Sequence, residues 1–230
     1  MPRALAVETS GRVGSVALVE DGRVLLEDQF PHGLQHAAEM IPRIDRLCRE
    51  QGWAAENLEE LYVSAGPGSF TGLRIGITLS KTLAFVTGAR LVAVPSVRVL
   101  SHNAPADANH LVIVLDAKRD QIFTARFERA GDDWIEVEPA HVDDLRSILA
   151  RSPRPVHLLG EGIPAHQKFL PTGDDSIVVT APENSRPRAT AVAEEGFRMA
   201  RAGLFTDPDH LRPIYIRKPE AEEKWEQAHG

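Results

Sequence analysis

Between Ser64 and Phe85 the chain reads SAGPGSFTGLRIGITLSKTLAF, and no other stretch restricts the fold as much. Leu61 to Ser64 is short and strand-prone, and a turn with glycines at 66, 68 and 72 follows it. Glycine admits backbone angles closed to other residues, so the chain can reverse tightly here. Thr71 offers a cap for a helix from about Thr71 to Thr87, and Gly88 a terminator. Strand, glycine turn and long helix make one α/β step. Amides at such a helix start form an anion site. No Gly-Lys-Ser/Thr follows the glycines, which excludes a Walker loop. From the glycines alone, a plain strand-to-helix turn stays an open reading.

The helix itself carries a second signal. Gly72, Gly76, Ser80 and Ala84 recur every four residues as a stripe of small side chains, which lets another helix approach closely. Leu73, Ile75, Ile77, Leu79, Leu83, Phe85 and Val86 surround the stripe, and only Arg74, Thr78, Lys81 and Thr82 are polar. The helix is either buried in its own lobe or meets a partner.

Residues 4–9 and 13–20 read as strands, and Asp21-Gly22 marks a tight hairpin into Val24–Leu26. Leu34, Ala37, Ile41, Ile44 and Cys48 then recur at helical spacing, with Pro42 expected to kink the helix and Gly52 to end it. After the glycine-turn helix come a strand at Leu91–Val94 and a helix opened by Pro95-Ser96. Asn103 to Asn109 is a seam, beyond which the pattern restarts with strands at 111–116, 121–128 and 134–138. A helix at Asp143–Ala150, a strand at Val156–Leu159 and a helix at Ala189–Ala202 complete it. The expected fold is α/β with two lobes built from βββαβα-type units, the second reduced. Residues 1–103 form the first lobe, 104–218 the second, and 219–230 a polar tail expected to be mobile.

Charge bears on partners. Lys plus Arg number 26 against 33 Asp plus Glu, a net charge of -7, so the chain lacks the electrostatic footprint of a protein that grips RNA alone. Any RNA would be held through a partner. Cys48 is the single cysteine, which rules out an intrachain disulfide and suits a reducing compartment. No signal peptide or membrane span is evident, so a cytoplasmic location is expected.

Few residues offer chemistry. Glu8 and Asp116 end strands, where a carboxylate either serves a ligand or simply closes a turn. His32 and His36 have the H-x-x-x-H spacing of a metal pair, but Pro31 and Gly33 disfavour a helix there. Cys48 falls on an apolar helix face and reads as a buried thiol. Ser69 and Thr71 lie outside any Gly-x-Ser-x-Gly elbow. No catalytic residue and no metal ligand is assigned.

The stretch GPGSFTGLRIG followed by Lys81-x-Leu83-Ala84-Phe85 resembles the signature of the TsaB (YeaZ) family. Val7-Glu8-Thr9-Ser10, His36 with Ile41-Pro42, Asp116-Ala117-Lys118-Arg119 and Pro213-Ile214-Tyr215-Ile216-Arg217 are similar to its other motifs, in the same order. The resemblance implies a two-lobed actin-like fold (ASKHA, ribonuclease H-like). It also implies a non-catalytic role beside the TsaD threonylcarbamoyl transferase, which acts on the adenosine next to the anticodon of tRNA. A TsaE-like ATPase would join them, and the chain alone would pair as a homodimer.

The implied partner surface comprises His36, Met40, Arg43, Ile44, Leu47, Gly72, Leu73, Gly76, Ser80 and Leu83. The signature loop is Gly66, Pro67, Gly68, Ser69, Phe70, Thr71, Gly72 and Arg74. Nucleotide contacts, if made, fall to Glu8, Thr9, Ser10 and Asp116, with no cofactor assigned beyond ATP or ADP at the partner interface. The wider fold carries Asp where this chain has Glu8, and one methylene shifts a carboxylate by about 1 Å, a large step for a phosphate site. Lys118 stands where the family has Arg. The alternatives are a metal-dependent, glycoprotease-like peptidase and a sugar-kinase-type phosphotransferase.

Overall fold

The computed structural model describes residues 1–31 and 36–217, and at 31 and 36–38 the backbone alone. His32, the side chain of His36 and the tail at 219–230 therefore lie outside the described residues.

The first sheet is built from β1 (Arg3–Glu8), β2 (Val13–Glu20), β3 (Arg23–Pro31), β4 (Glu60–Gly66) and β5 (Arg90–Pro95), in the order β3-β2-β1-β4-β5. β1, β2 and β3 pair antiparallel, whereas β4 and β5 join parallel. Ala4, Leu5, Ala6 and Val7 are all buried, so β1 is apolar on both faces as a central covered strand must be. Asp21 and Gly22 both have positive φ, 52° and 79°, the conformation their hairpin requires.

The second sheet repeats the first. β6 (His110–Asp116), β7 (Ile122–Ala130), β8 (Asp133–Asp143), β9 (Val156–Leu159) and β10 (Ile177–Val179) take the order β10-β9-β6-β7-β8. That is the first order with every index raised by five, and the pairings match strand for strand. The helices differ in length. In the first lobe α1 (His36–Glu50) has 15 residues and α2 (Phe70–Thr87) has 18, followed by α3 (Ser96–Ser101). Their second-lobe counterparts α4 (Leu145–Ala150) and α5 (Ile163–His166) have 6 and 4. The unit is thus βββαβαβα in both lobes, and the second is more complete than its sequence pattern suggested. β10 and α5 escaped it because each is under five residues, too short for a period to register.

Two further corrections concern boundaries. α2 begins at Phe70, and its cap is Ser69, whose Oγ accepts from the Gly72 N–H, so Thr71 lies inside the first turn. α6 (Ala189–Arg201) packs on the first sheet, with Ala189, Ala191, Val192 and Ala193 against Ala4, Ala6, Ala17, Val19 and Tyr62. Residues 104–218 therefore do not form one self-contained lobe. α1 and α2 cover the opposite face of that sheet, with Met40, Ile44, Leu47 and Ile77 on Leu5, Val7 and Val63. α3 reaches the second sheet, where Val97 and Leu100 meet Leu111, Ile113 and Phe127. α3 and α6 thus lie between the sheets. α1 runs continuously through Pro42, and Gly52 and Gly88 take positive φ just past α1 and α2.

A buried ionic cluster joins the two central helices. Glu195 of α6, 2 % exposed, bonds Arg98 of α3 at 3.2 Å and lies 3.2 Å from His102 Nε2. His102 Nδ1 lies 3.0 Å from Glu194, and Arg98 also donates to the Trp134 carbonyl on β8 at 2.6 Å.

Candidate functional site

The glycine stripe faces the chain's own first turn. The Ser69 N–H donates to the Ser10 carbonyl at 2.8 Å, and the Thr9 N–H to Ser64 Oγ at 3.3 Å. A Cβ on Gly68 would sit 2.5 Å from the Ser10 carbonyl oxygen. On Gly72 it would fall on the Thr9 carbonyl, and on Gly76 on the Thr9 hydroxyl. Glycine at 68, 72 and 76 is thus required by close approach of the end of β1.

The closing segment completes this corner. The Ile214 N–H donates to the Ala65 carbonyl at 2.7 Å, which lays the segment along the glycine turn. Tyr215 stacks on Phe70 with ring centres 5.4 Å apart. Arg74 lies 3.8 Å over the Phe70 ring and donates from Nε to the Tyr215 hydroxyl at 3.0 Å. Two residues on, Arg217 donates to the Ala117 carbonyl at 2.7 Å and to Gln121 Oε1. Three motifs far apart in sequence therefore form one structure: the glycine turn, the 116–121 turn and Pro213–Arg217. The 116–121 turn is itself conformationally costly, because Lys118, Arg119 and Asp120 have φ of 64°, 54° and 58°.

Glu8 and Asp116 occupy equivalent places at the ends of β1 and β6, yet each serves its own turn. Glu8 is 0 % exposed, and its Oε1 accepts from the Ser10 N–H while Oε2 is buried without a partner. Burial pushes its pKa up to about 7, against the lowering effect of the Ser10, Ser64 and Gly11 donors. Thr9 Oγ1 is likewise buried without a partner. Asp116 lies 3.1 Å from His166 Nε2 and 3.2 Å from Lys118 Nζ. Burial raises its pKa, but those two partners outweigh it and hold the carboxyl below the usual range. His166, itself 1 % exposed, and Glu161, which bonds the Arg12 amide at 2.7 Å, were not anticipated. The one signal for Glu161 is the Gly160-Glu161-Gly162 run.

Most of the implied partner surface is internal. Met40, Ile44, Leu47, Leu73, Gly72, Gly76 and Ser80 are buried within the first lobe. Arg43 bonds Asp28 at 2.9 Å and Glu39 at 3.1 Å, and Leu83 is half-buried. Among the described residues of α1 and α2, the most exposed large apolar side chains are Ile41, 60 %, Phe85, 89 %, and Val86, 71 %. Cys48 is buried, and burial pushes its thiol pKa up. Among the described residues no group of three or more His, Cys, Asp or Glu could hold a metal ion. No described helix is long and apolar enough to cross a membrane.

Comparison with known proteins places this architecture. The family model described as "TsaD: tRNA N6-adenosine threonylcarbamoyltransferase" matches residues 33–225. The tRNA threonylcarbamoyladenosine biosynthesis protein TsaB of Bacillus subtilis (strain 168) is 30 % identical over 96 % of each chain. The TsaB protein of Escherichia coli (strain K12) is 25 % identical over 94 % of each. A crystal structure from Pseudomonas aeruginosa, titled a protein with similarity to peptidase YEAZ, superposes with a TM-score of 0.82 at 22 % identity. It covers 94 % of this chain and 100 % of its own, so the two share one fold. With its glycine turn, its doubled sheet and a likeness that runs almost end to end, this chain belongs to the TsaB (YeaZ) family of TsaD-like proteins.

Proposed function

We propose that this chain serves tRNA threonylcarbamoyladenosine synthesis as a non-catalytic partner of a TsaD-like transferase. The family membership carries the pathway. The exposed apolar side chains of Ile41 on α1 and of Phe85 and Val86 at the end of α2 support the partner role, since they offer large apolar area to a contact. Apolar side chains can meet their own copies, so in the absence of the transferase the chain pairs with itself about a two-fold axis. A TsaE-like ATPase joins the heteromer, and tRNA is engaged only through it.

The non-catalytic reading is supported by the state of the carboxylates. Glu8 is sealed inside the lobe and Asp116 is tied to His166 and Lys118, so neither is free to act as base or phosphate ligand. Nucleotide, where it takes part, belongs at the partner interface rather than between this chain's own lobes.

Reconstitution tests the proposal. Purified chain, transferase, ATPase and tRNA are combined, and threonylcarbamoyladenosine is measured by mass spectrometry of digested tRNA. Modification that needs this chain, together with no ATP turnover or peptide cleavage by it alone, is the expected result. Modification at full rate without it would remove the partner role.

A further inference from the structure

The turn joining β1 to β2 spends successive backbone amides on carboxylates of its own chain. The Ser10 N–H donates to Glu8 Oε1, and the Gly11 amide also acts on the Glu8 carboxylate. The next amide, that of Arg12, donates to Glu161 Oε2 at 2.7 Å. Neighbouring amides converging in a turn are the chemistry by which proteins bind phosphate and other anions. Here both carboxyl groups come from the chain itself.

Glu161 belongs to the other lobe, on the loop between β9 and α5. That loop is pressed onto the end of β6. The Gly162 N–H donates to the Val114 carbonyl at 3.0 Å, and a Cβ on Gly162 would lie 2.6 Å from the Asp116 nitrogen. Gly160 has φ of +136°, a conformation that side chains rarely adopt. The two glycines therefore fix where Glu161 is presented. The space beside Gly11 is closed: a Cβ there would lie 2.6 Å from Pro187 Cγ and 3.0 Å from Glu161 Oε2.

We propose that Glu161 is a built-in ligand of the Ser10–Arg12 turn. Its carboxylate occupies the anion position, latches the turn of the first lobe to the second, and keeps phosphate groups out. This account does not rest on the partner role, because its test reads binding and protection rather than tRNA modification. It also links features that are otherwise unrelated in the sequence: glycine at 11, acid at 161 and glycines at 160 and 162.

The experiment uses the full chain as wild type, Glu161→Ala and Glu161→Gln. Hydrogen exchange at the Arg12 amide is followed, and thermal midpoints are compared in inorganic phosphate and in chloride of equal ionic strength. In the wild type the amide is protected, and phosphate shifts the midpoint no more than chloride. In Glu161→Ala the Arg12 amide exchanges about tenfold faster, the equivalent of one charge-assisted hydrogen bond. Phosphate then raises that variant's midpoint beyond chloride and restores protection, as a ligand that binds only the folded state must. If Glu161→Ala does not fold, Glu161→Gln is read by Arg12 exchange alone, which rises less because the amide oxygen still accepts that bond without the charge. Unchanged Arg12 exchange in the variant that folds, or phosphate stabilising wild type as much as variant, overturns the proposal.

Discussion

The Thr9 hydroxyl lies against the bare α-carbon of Gly76, where any side chain would collide with it. The consequence for substitution is direct. Gly76→Leu forces β1 and α2 apart and costs about 1–3 kcal/mol, or more where the backbone cannot yield. Ser80→Leu, at a site of 0 % exposure, behaves alike. Urea denaturation of both variants checks this. A folded Gly76→Leu chain of wild-type stability, altered only in partner binding, would return the stripe to the outer surface.

Arg217→Ala removes the donors to the Ala117 carbonyl and Gln121 Oε1. With those bonds gone, the 116–121 turn loses its restraint, and stability falls by about 1–3 kcal/mol. Limited proteolysis checks the local effect, with new cleavage expected within 116–121 or 213–217. An unchanged digestion pattern would show that the segment is held by Tyr215 and Ile214 alone.

The interface prediction moves to residues that are exposed. Phe85→Glu and Val86→Glu touch little of their own chain, so both stay folded with stability within about 0.5 kcal/mol of wild type. Sedimentation and co-purification should show each losing self-association and transferase capture. Variants that still dimerise and still bind place the contact on another face.

Stability should fall on the alkaline side for reasons found in the ionic cluster. Burial lowers the His102 pKa, but the Glu194 and Glu195 carboxylates outweigh it and raise it to about 9 from 6.5. A raised folded-state value means this stabilisation is complete below about pH 6.5 and is lost as pH rises through about 9. Glu195 responds oppositely. Burial raises its pKa, yet His102, Arg198 and Arg98 hold it well below the carboxylate range, so its contribution is lost on acidification. Denaturation midpoints taken from acid to alkali should therefore show a decline above neutrality that His102→Gln abolishes. Glu8, raised to about 7, adds a separate decline between about pH 4.5 and 7, which Glu8→Gln flattens.

Binding of tRNA by the lone chain should be no tighter than non-specific contact, about 10⁻⁴ to 10⁻⁶ M, because the chain carries a net charge of -7. Filter binding across a salt series measures it. Sub-micromolar, salt-sensitive binding would reveal a basic surface on the chain.

Local chemistry made much of the fold legible. Asp21-Gly22 specifies its turn through φ alone, and Gly88 specifies its cap in the same way. Ser69 and Thr71 are both hydroxyls near one helix start, and only the chain path decides which one caps. Met40, Ile44 and Leu47 recur at helical spacing because they bury their helix in its own lobe, and periodicity carries no sign of what lies opposite. A stripe of small residues likewise says that something comes close, without saying whether it is a helix or the end of a strand. The tie between Arg12 and Glu161 spans nearly 150 positions and leaves only two glycines as its local trace.

Because α6 closes over the first sheet, the order of synthesis and the order of folding diverge. The strands of that sheet have all been made by Pro95, but the helix that covers Ala4, Ala6 and Tyr62 does not exist until Arg201. On the ribosome the early half must wait with one apolar face bare while about a hundred further residues emerge. A fragment ending at the seam near residue 103 keeps every strand of its sheet and still lacks its cover. Such a fragment should be insoluble unless α6 is supplied in trans, so the chain divides into halves by sequence but matures only as a whole.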